Sequence, residues 1–248
     1  MSPTWQGGAT PLRAQLLCWW QQNGRHAIPW KQRPDGSLPA DGEDLEPYGV
    51  FVAEVMLQQT QLQVVLPYWH RWMRALPDLE ALAAADGQTV LQLWQGLGYY
   101  SRARRLQQGA RLLLERQQAG HRGTDPWPRT LEGWLELPGI GRSTAGSILS
   151  SAFDLPAPLL DGNVRRVLAR LMAHPRPPRR DERLFWRWSS SLLDPLHPRA
   201  FNQALMDLGA TVCTPRRPLC SACPWQERCG AYASADPGQF PVKEPSRA

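Results

Sequence analysis

Four of the five cysteines fall in one short run, Cys213, Cys220, Cys223 and Cys229, spaced C-x6-C-x2-C-x5-C. Thiolates this close in sequence can converge on one point, as a soft metal centre requires. Disulfides are the weaker reading, because the opening residues do not form a secretory signal and a chain this long needs no staples. Four-cysteine zinc modules usually carry two C-x2-C knuckles, and only one is present. The wider, uneven loops suit a cubane iron–sulfur cluster, so the run is expected to hold a [4Fe–4S] centre, with Cys18 outside it dispensable.

Glu54 stands in VFVAEVML, an acid inside an otherwise apolar helix. Burial there would raise its pKa and keep it protonated near neutrality, as a general acid requires. Asp161 stands in LLDGNVRRVLAR, ahead of a helix predicted over Val164–Met172. On pattern alone it is an N-cap or turn aspartate, whose neighbouring amides would lower its pKa. Between the two lies Leu137-Pro-Gly-Ile-Gly-Arg142, flanked by helical segments. The amides of Gly139, Gly141 and the helix start that follows could form an anion-binding nest. An ordinary helix–helix turn is the other reading.

The elements that carry these residues are helical. Leu12–Gln22 reads as a first amphipathic helix, and Gln32–Pro47 as an acidic, Pro- and Gly-rich mobile loop. Helical periodicity dominates from Tyr48 to Ala152, with breaks expected at Pro67, Pro77, Gly87, Gly96 and His121–Arg129. Further helices are expected over Val164–Met172, Arg183–Leu193 and Ala200–Leu208, with HPRPPRRDER a surface loop and Ala231–Ala248 a loosely held tail. No period-2 strand stands out, so the expected fold class is all-α.

At 248 residues the chain can bury one sizeable core or two smaller lobes. No apolar run approaches bilayer length, so a membrane partner is not expected, and a reduced cytoplasmic compartment fits the cysteine usage. A net charge of +6 favours a polyanionic partner. The cations are nearly all arginine, with Lys31 and Lys243 the two lysines. Arginine suits phosphate contacts but cannot form a Schiff base.

Together LPGIGRSTAGSIL, LLDGNVRRVL and the cysteine run resemble the helix-hairpin-helix glycosylases that carry an iron–sulfur cluster. AEVMLQQTQ, LWQGLGYYSRAR, LDGNVRRVLAR and FNQALMDLGATVC look, within that superfamily, like the catalytic half of the adenine DNA glycosylases, the MutY family. The likeness runs from about Leu12 to Cys229. It implies two helical lobes with a DNA-binding cleft between them. One is a six-helix barrel with the hairpin, over 48–154. The other joins the N-terminal segment 1–47 to the cluster segment 155–232, and 233–248 is a tail.

The resemblance also assigns roles. Two carboxylates in different environments can divide the cleavage of an N-glycosidic bond. Glu54 would protonate adenine, Asp161 would stay ionised opposite the cationic sugar, and Asn163 would orient it. Ser143 takes the hairpin position where endonuclease III-type enzymes carry an attacking lysine, which implies a monofunctional glycosylase. Gln58, Gln59, Thr60, Leu97 and Tyr99 would meet the orphan purine and the opened stack, with Gly139 and Gly141 on phosphate. Trp30 and Asp207, with Arg25 a weaker candidate, would line the base pocket. The implied partner is double-stranded DNA bearing A·8-oxoG or A·G, and the implied enzyme is a monomer in the bacterial cytoplasm, associated with the nucleoid.

Members of that family continue past the cluster into a Nudix-like domain that is not expected here, so the chain is read as a naturally short member, a fragment, or a relative with another specificity. A thymine glycosylase acting on T·G mismatches is therefore the leading alternative. A non-catalytic DNA-binding iron–sulfur protein is the other, although it would not need Glu54 and Asp161.

Overall fold

The computed structural model describes residues 8–119 and 125–244. Among them every regular element is helical, and the chain divides into two compact units. One comprises 27–153 and the other joins the N-terminal segment through His26 to everything from Asp154 onward. Part of the expected break at His121–Arg129, and the last residues of the expected tail, lie outside the described residues.

The 27–153 unit is built around α2 (Pro47–Met56), which is apolar on nearly every side and correspondingly buried. It starts where Glu46 accepts from the amides of Tyr48 and Gly49, at 3.0 and 2.8 Å, with Pro47 in the first helical position. α3 (Leu62–Ala75), α6 (Ser101–Ala119) and α8 (Arg142–Phe153) pack against it. The short helices α4 (Leu79–Ala84) and α5 (Gly87–Trp94) are capped by Asp78 and Asp86, and α7 (Leu131–Leu135) by Thr130.

Three sequence expectations change here. Pro67 does not break the chain: α3 runs through it, because Val65 and Trp72 are anchored in the core on either side. Segment 27–47 belongs with α2 rather than with the N-terminal helix, since Trp30 packs on Trp69 and the Leu45 amide donates to the Ala152 carbonyl. The acidic loop is also tethered rather than free. Arg33 pairs with Glu43, and Arg129 pairs with Asp44 while lying over the Phe153 ring.

In the other unit, α1 (Ala9–Asn23) lays Leu12, Leu16 and Trp20 into a core shared with α9 (Gly162–Leu171), α10 (Glu182–Leu192) and α11 (Pro198–Asp207). Trp225 of the cysteine loop is buried in the same core and donates to the Leu12 carbonyl at 2.8 Å. Past the short helix α12 (Gly230–Ala233), Arg170 Nε donates to the carbonyls of Pro237 and Phe240, at 3.0 and 2.9 Å. The stretch read as a loose tail is therefore held as far as Phe240.

Pro67 is exposed and lacks the N–H that would continue the helical ladder of α3. An interior proline costs up to about 3 kcal/mol relative to alanine. Pro67→Ala should raise the free energy of unfolding by roughly 1–3 kcal/mol in urea titrations; no gain would mean that α3 needs the proline.

Candidate active site

Glu54 is the only charged residue of α2 and is half-buried. The helix ends two residues later at Met56, and the chain reverses through Gln58, Gln59 and Thr60. Gln58 Nε2 donates to the Gly139 carbonyl at 3.1 Å and to Thr144 Oγ1 at 3.2 Å, which ties this turn to the hairpin. Gln59 is exposed with φ 59°, a left-handed conformation unusual for glutamine. Tyr99, in the turn between α5 and α6, has φ 48° and is 64% exposed. Leu97 is only 6% exposed. It packs inside rather than standing out as a wedge, so of the two residues expected to enter the base stack only Tyr99 is presented.

Sequence reasoning missed Arg102. It is buried under both turns and donates to the carbonyls of Val55, Met56 and Gln58 from Nη1. Its motif, YYSRAR, offers several arginines, and nothing in the spacing says which one turns inward.

In the hairpin, Gly139 has φ 81°, and a Cβ there would lie 2.9 Å from Arg105 Cδ. Gly141 has an ordinary backbone, and a Cβ on it would meet nothing within 4 Å. The fold therefore demands glycine at 139 but not at 141, where close approach of a ligand to the backbone is the remaining reason. Ser143 is the second residue of α8 and half-buried. Of the two lysines, Lys31 is buried beside Trp30, and Lys243 is exposed in the other unit.

Asp161 caps α9, accepting from the Val164 amide at 2.7 Å and from Asn163 Nδ2 at 3.4 Å. Arg166, on the next turn, donates to Asn163 Oδ1 at 2.9 Å and to the carbonyls of Gly209 and Cys213, both at 2.7 Å. Gly209 lies in a π-helical turn, Leu208–Val212, and a Cβ on it would sit 2.7 Å from the Asn163 Cβ. Sequence reasoning expected the amides to hold the Asp161 pKa down. Burial instead pushes it above its ordinary value, and the amides, Arg166 and Asn163 offset that only in part.

Arg25 and Asp207 are brought together. The Asp207 side chain is fully buried and takes the Arg25 amide at 2.8 Å, Arg25 Nε at 2.7 Å, Arg25 Nη2 at 2.6 Å and Trp20 Nε1 at 3.0 Å. Trp30, in the 27–153 unit, is buried against Trp69 at 5.3 Å, and its Nε1 has no protein acceptor.

Cys213, Cys220, Cys223 and Cys229 are all free thiols and half-buried. Burial pushes Cys223 up to about 12 and also raises Cys220 and Cys229, with the neighbouring cysteine charges adding to each. Three buried thiols pushed up in this way belong to a donor set that a cationic centre would stabilise as thiolates. Arg170 Nη1 lies 3.4 Å from Cys213 Sγ and also binds the Thr214 carbonyl at 2.7 Å. These residues fit a cluster ligated by four thiolates.

Residues 52–190 match the family described as HhH-GPD superfamily base excision DNA repair protein, and residues 213–229 match the iron–sulfur binding domain of endonuclease III. The chain belongs to the HhH-GPD superfamily, and residues 213–229 form the iron–sulfur domain that carries a [4Fe–4S] cluster. Among curated relatives it is 47% identical over 234 residues to the adenine DNA glycosylases of Mus musculus and Homo sapiens, and 35% identical over 217 residues to that of Buchnera aphidicola subsp. Baizongia pistaciae. These alignments cover 93%, 93% and 88% of this chain but only 44%, 41% and 57% of those proteins. In fold it is similar to a thermostable thymine-DNA glycosylase (TM-score 0.75, 22% identity, 91% of this chain and 97% of that one). It is also similar to endonuclease III in a non-covalent DNA complex (TM-score 0.69, 19% identity, 90% and 94%).

Replacing any of Cys213, Cys220, Cys223 or Cys229 by serine should lower the iron content of protein purified without oxygen, whereas Cys18→Ser should leave it unchanged; equal iron in all five variants would remove the run as ligand set. Gly141→Ala should keep the melting temperature and weaken duplex binding, while Gly139→Ala should lower both. A Gly141→Ala protein that binds DNA as tightly as wild type would show that no phosphate approaches that turn.

Proposed function

We propose that this protein is a monofunctional adenine DNA glycosylase that hydrolyses the N-glycosidic bond of adenine mispaired with 8-oxoguanine or guanine. The observation that carries the reading is Glu54, a lone acid in a buried apolar helix, one turn before a loop hydrogen-bonded to the hairpin. The names of the curated relatives support the choice of adenine. The hairpin amides take a phosphate of the duplex, and the target nucleotide leaves the stack. Glu54 gives a proton to the adenine ring, so the base departs neutral as the bond from C1′ to the ring nitrogen breaks.

The positive charge then left on the sugar faces Asp161. Its carboxylate is oriented by Asn163, which Arg166 steadies in turn, and its burial makes its charge more effective against a cation. Water adds to C1′ and completes hydrolysis. Ser143 has no amine to attack the sugar, so base loss is not followed by strand cleavage at this site. When bound, the cluster supplies local structure rather than bond chemistry. It organises the loop whose exposed Arg216 and Arg217 meet phosphate.

Gln58, Gln59, Thr60 and Tyr99 face the opposite purine. Trp30, whose buried N–H lacks a protein acceptor, lines the base pocket. In the other unit Asp207 fixes Arg25, because its oxygens already take Arg25 and Trp20. The working enzyme is a monomer on nucleoid DNA in a bacterial cytoplasm.

Single-turnover assays on duplexes carrying A·8-oxoG, A·G, T·G and oxidised pyrimidines, with strand cleavage scored separately, test the reading. Adenine should be released without a matching rate of cleavage, and borohydride should trap no adduct; release of thymine alone would transfer the assignment to T·G repair. Glu54→Gln should lose about 10²–10⁴-fold in excision while still binding DNA.

Asp161→Asn should be similarly impaired. Because the folded pKa of Asp161 is raised, the fold favours its protonated form and loses stability as pH rises from the ordinary aspartate value through the raised folded one. Asparagine keeps the cap and carries no charge. The variant should therefore be at least as stable as wild type at pH 7, with the advantage vanishing in acid. The acid limb of wild-type excision due to this group should lie above the ordinary aspartate value of about 3.9.

A further inference from the structure

Gln59 and Tyr99, the two exposed residues of the 27–153 unit with non-glycine left-handed backbones, stand in different turns, forty residues apart in sequence. Such conformations persist only where the surroundings over-determine them. Arg102 is common to both. Its Nη1 takes the carbonyls of Val55 at 3.2 Å, Met56 at 2.9 Å and Gln58 immediately before Gln59. Its Nη2 takes Thr60 Oγ1 immediately after Gln59 at 3.2 Å, and the carbonyls of Leu97 and Gly98 just before Tyr99 at 3.2 and 3.3 Å. The guanidinium also lies over the Tyr99 and Trp94 rings, 5.6 and 5.3 Å from their centres.

The side chain is 6% exposed, and its partners among the described residues are neutral carbonyls, a hydroxyl and two rings. Burial accordingly draws its pKa below the ordinary arginine value. A guanidinium placed at such cost, with Nη1 on the first turn and Nη2 shared between Thr60 and the second turn, offers both sides directed donors at once. Lysine has three donors on one atom and could serve one turn or the other.

We propose that Arg102 is a positioning residue that locks the Gln58–Thr60 turn and the Leu97–Tyr99 turn into one rigid reading head for the base opposite the excised one. It acts through the backbone conformations of Gln59 and Tyr99 and does not itself touch DNA. The specificity role rests on the glycosylase reading above, whereas the coupling of the two turns does not.

Amide hydrogen exchange in the DNA-free protein tests the coupling directly. In Arg102→Lys, amides 57–60 and 97–100 should both exchange about tenfold faster or more, while the interiors of α2 and α8 change little. Acceleration in one turn alone, or in neither, overturns the proposal. If Arg102→Lys does not fold, Thr60→Val serves instead. It removes one acceptor from the first turn, and only through Arg102 should it speed exchange at 97–100; unchanged exchange there also overturns the proposal.

For specificity, folded Arg102→Lys should prefer A·8-oxoG over A·G by several-fold less than wild type. Its salt dependence of DNA binding should be unaltered, because a lost phosphate contact would flatten the slope by about 0.9. An unchanged preference ratio, or a flattened slope, counts against a positioning role. If the wild-type protein releases no adenine, the glycosylase reading fails and the exchange result still decides the coupling.

Discussion

Helices that stop abruptly leave carbonyl oxygens without partners, and inside a protein each of those oxygens must be satisfied. This chain meets the requirement with buried or half-buried arginines. Arg102 takes the carbonyls where α2 ends and where the turn before α6 begins. Arg166 takes those of the π-helical turn and Cys213, and Arg170 takes those of Thr214, Pro215, Pro237 and Phe240. In both units, the loops with candidate chemistry are irregular backbone braced by a planar fork of donors. A chain whose cations are almost all arginine has the residue for that task, since guanidinium is less strongly hydrated than ammonium and offers five directed donors.

The two carboxylates sit in contrasting frames. Glu54 emerges from an apolar helix. Asp161 is enclosed among amides, an asparagine and an arginine that favour its charge, yet burial still outweighs them. A carboxylate stabilised fully by its own protein would have little left to offer a cationic sugar. One held under-compensated gains when a positive charge develops beside it, which is how a site favours a transition state over the resting protein. On the proposed reading, Asp161 is a place where folding stability is given up for reactivity.

Much of this was legible in the residues, and the exceptions have physical causes. Periodicity located the helical stretches, whereas the caps at Glu46, Asp78, Asp86 and Thr130 that start them came only from the structure. Pro67 misled, since local propensity yields to two core anchors that flank it. Leu97 misled because apolarity alone does not say whether a side chain is packed or presented; a glycine on either side was compatible with both. The Gln58 contacts with the hairpin and the Arg102 clamp span residues up to eighty-six positions apart, and no spacing rule reaches that far. The direction of the Asp161 shift depends on a balance between desolvation and hydrogen bonds, which sequence does not weigh.

Gly209 shows how sensitivity to mutation spreads beyond residues with chemical roles. Its missing Cβ leaves room for Asn163, and an added carbon would stand 2.7 Å from that side chain. The displacement would pass from Asn163 to the Asp161 oxygen it donates to. A single methyl group at a buried position, with no charge gained or lost, is thus wired to the carboxylate. For sequence drift, the target that can silence this site is larger than its list of polar residues, and it includes a position whose only contribution is to be empty.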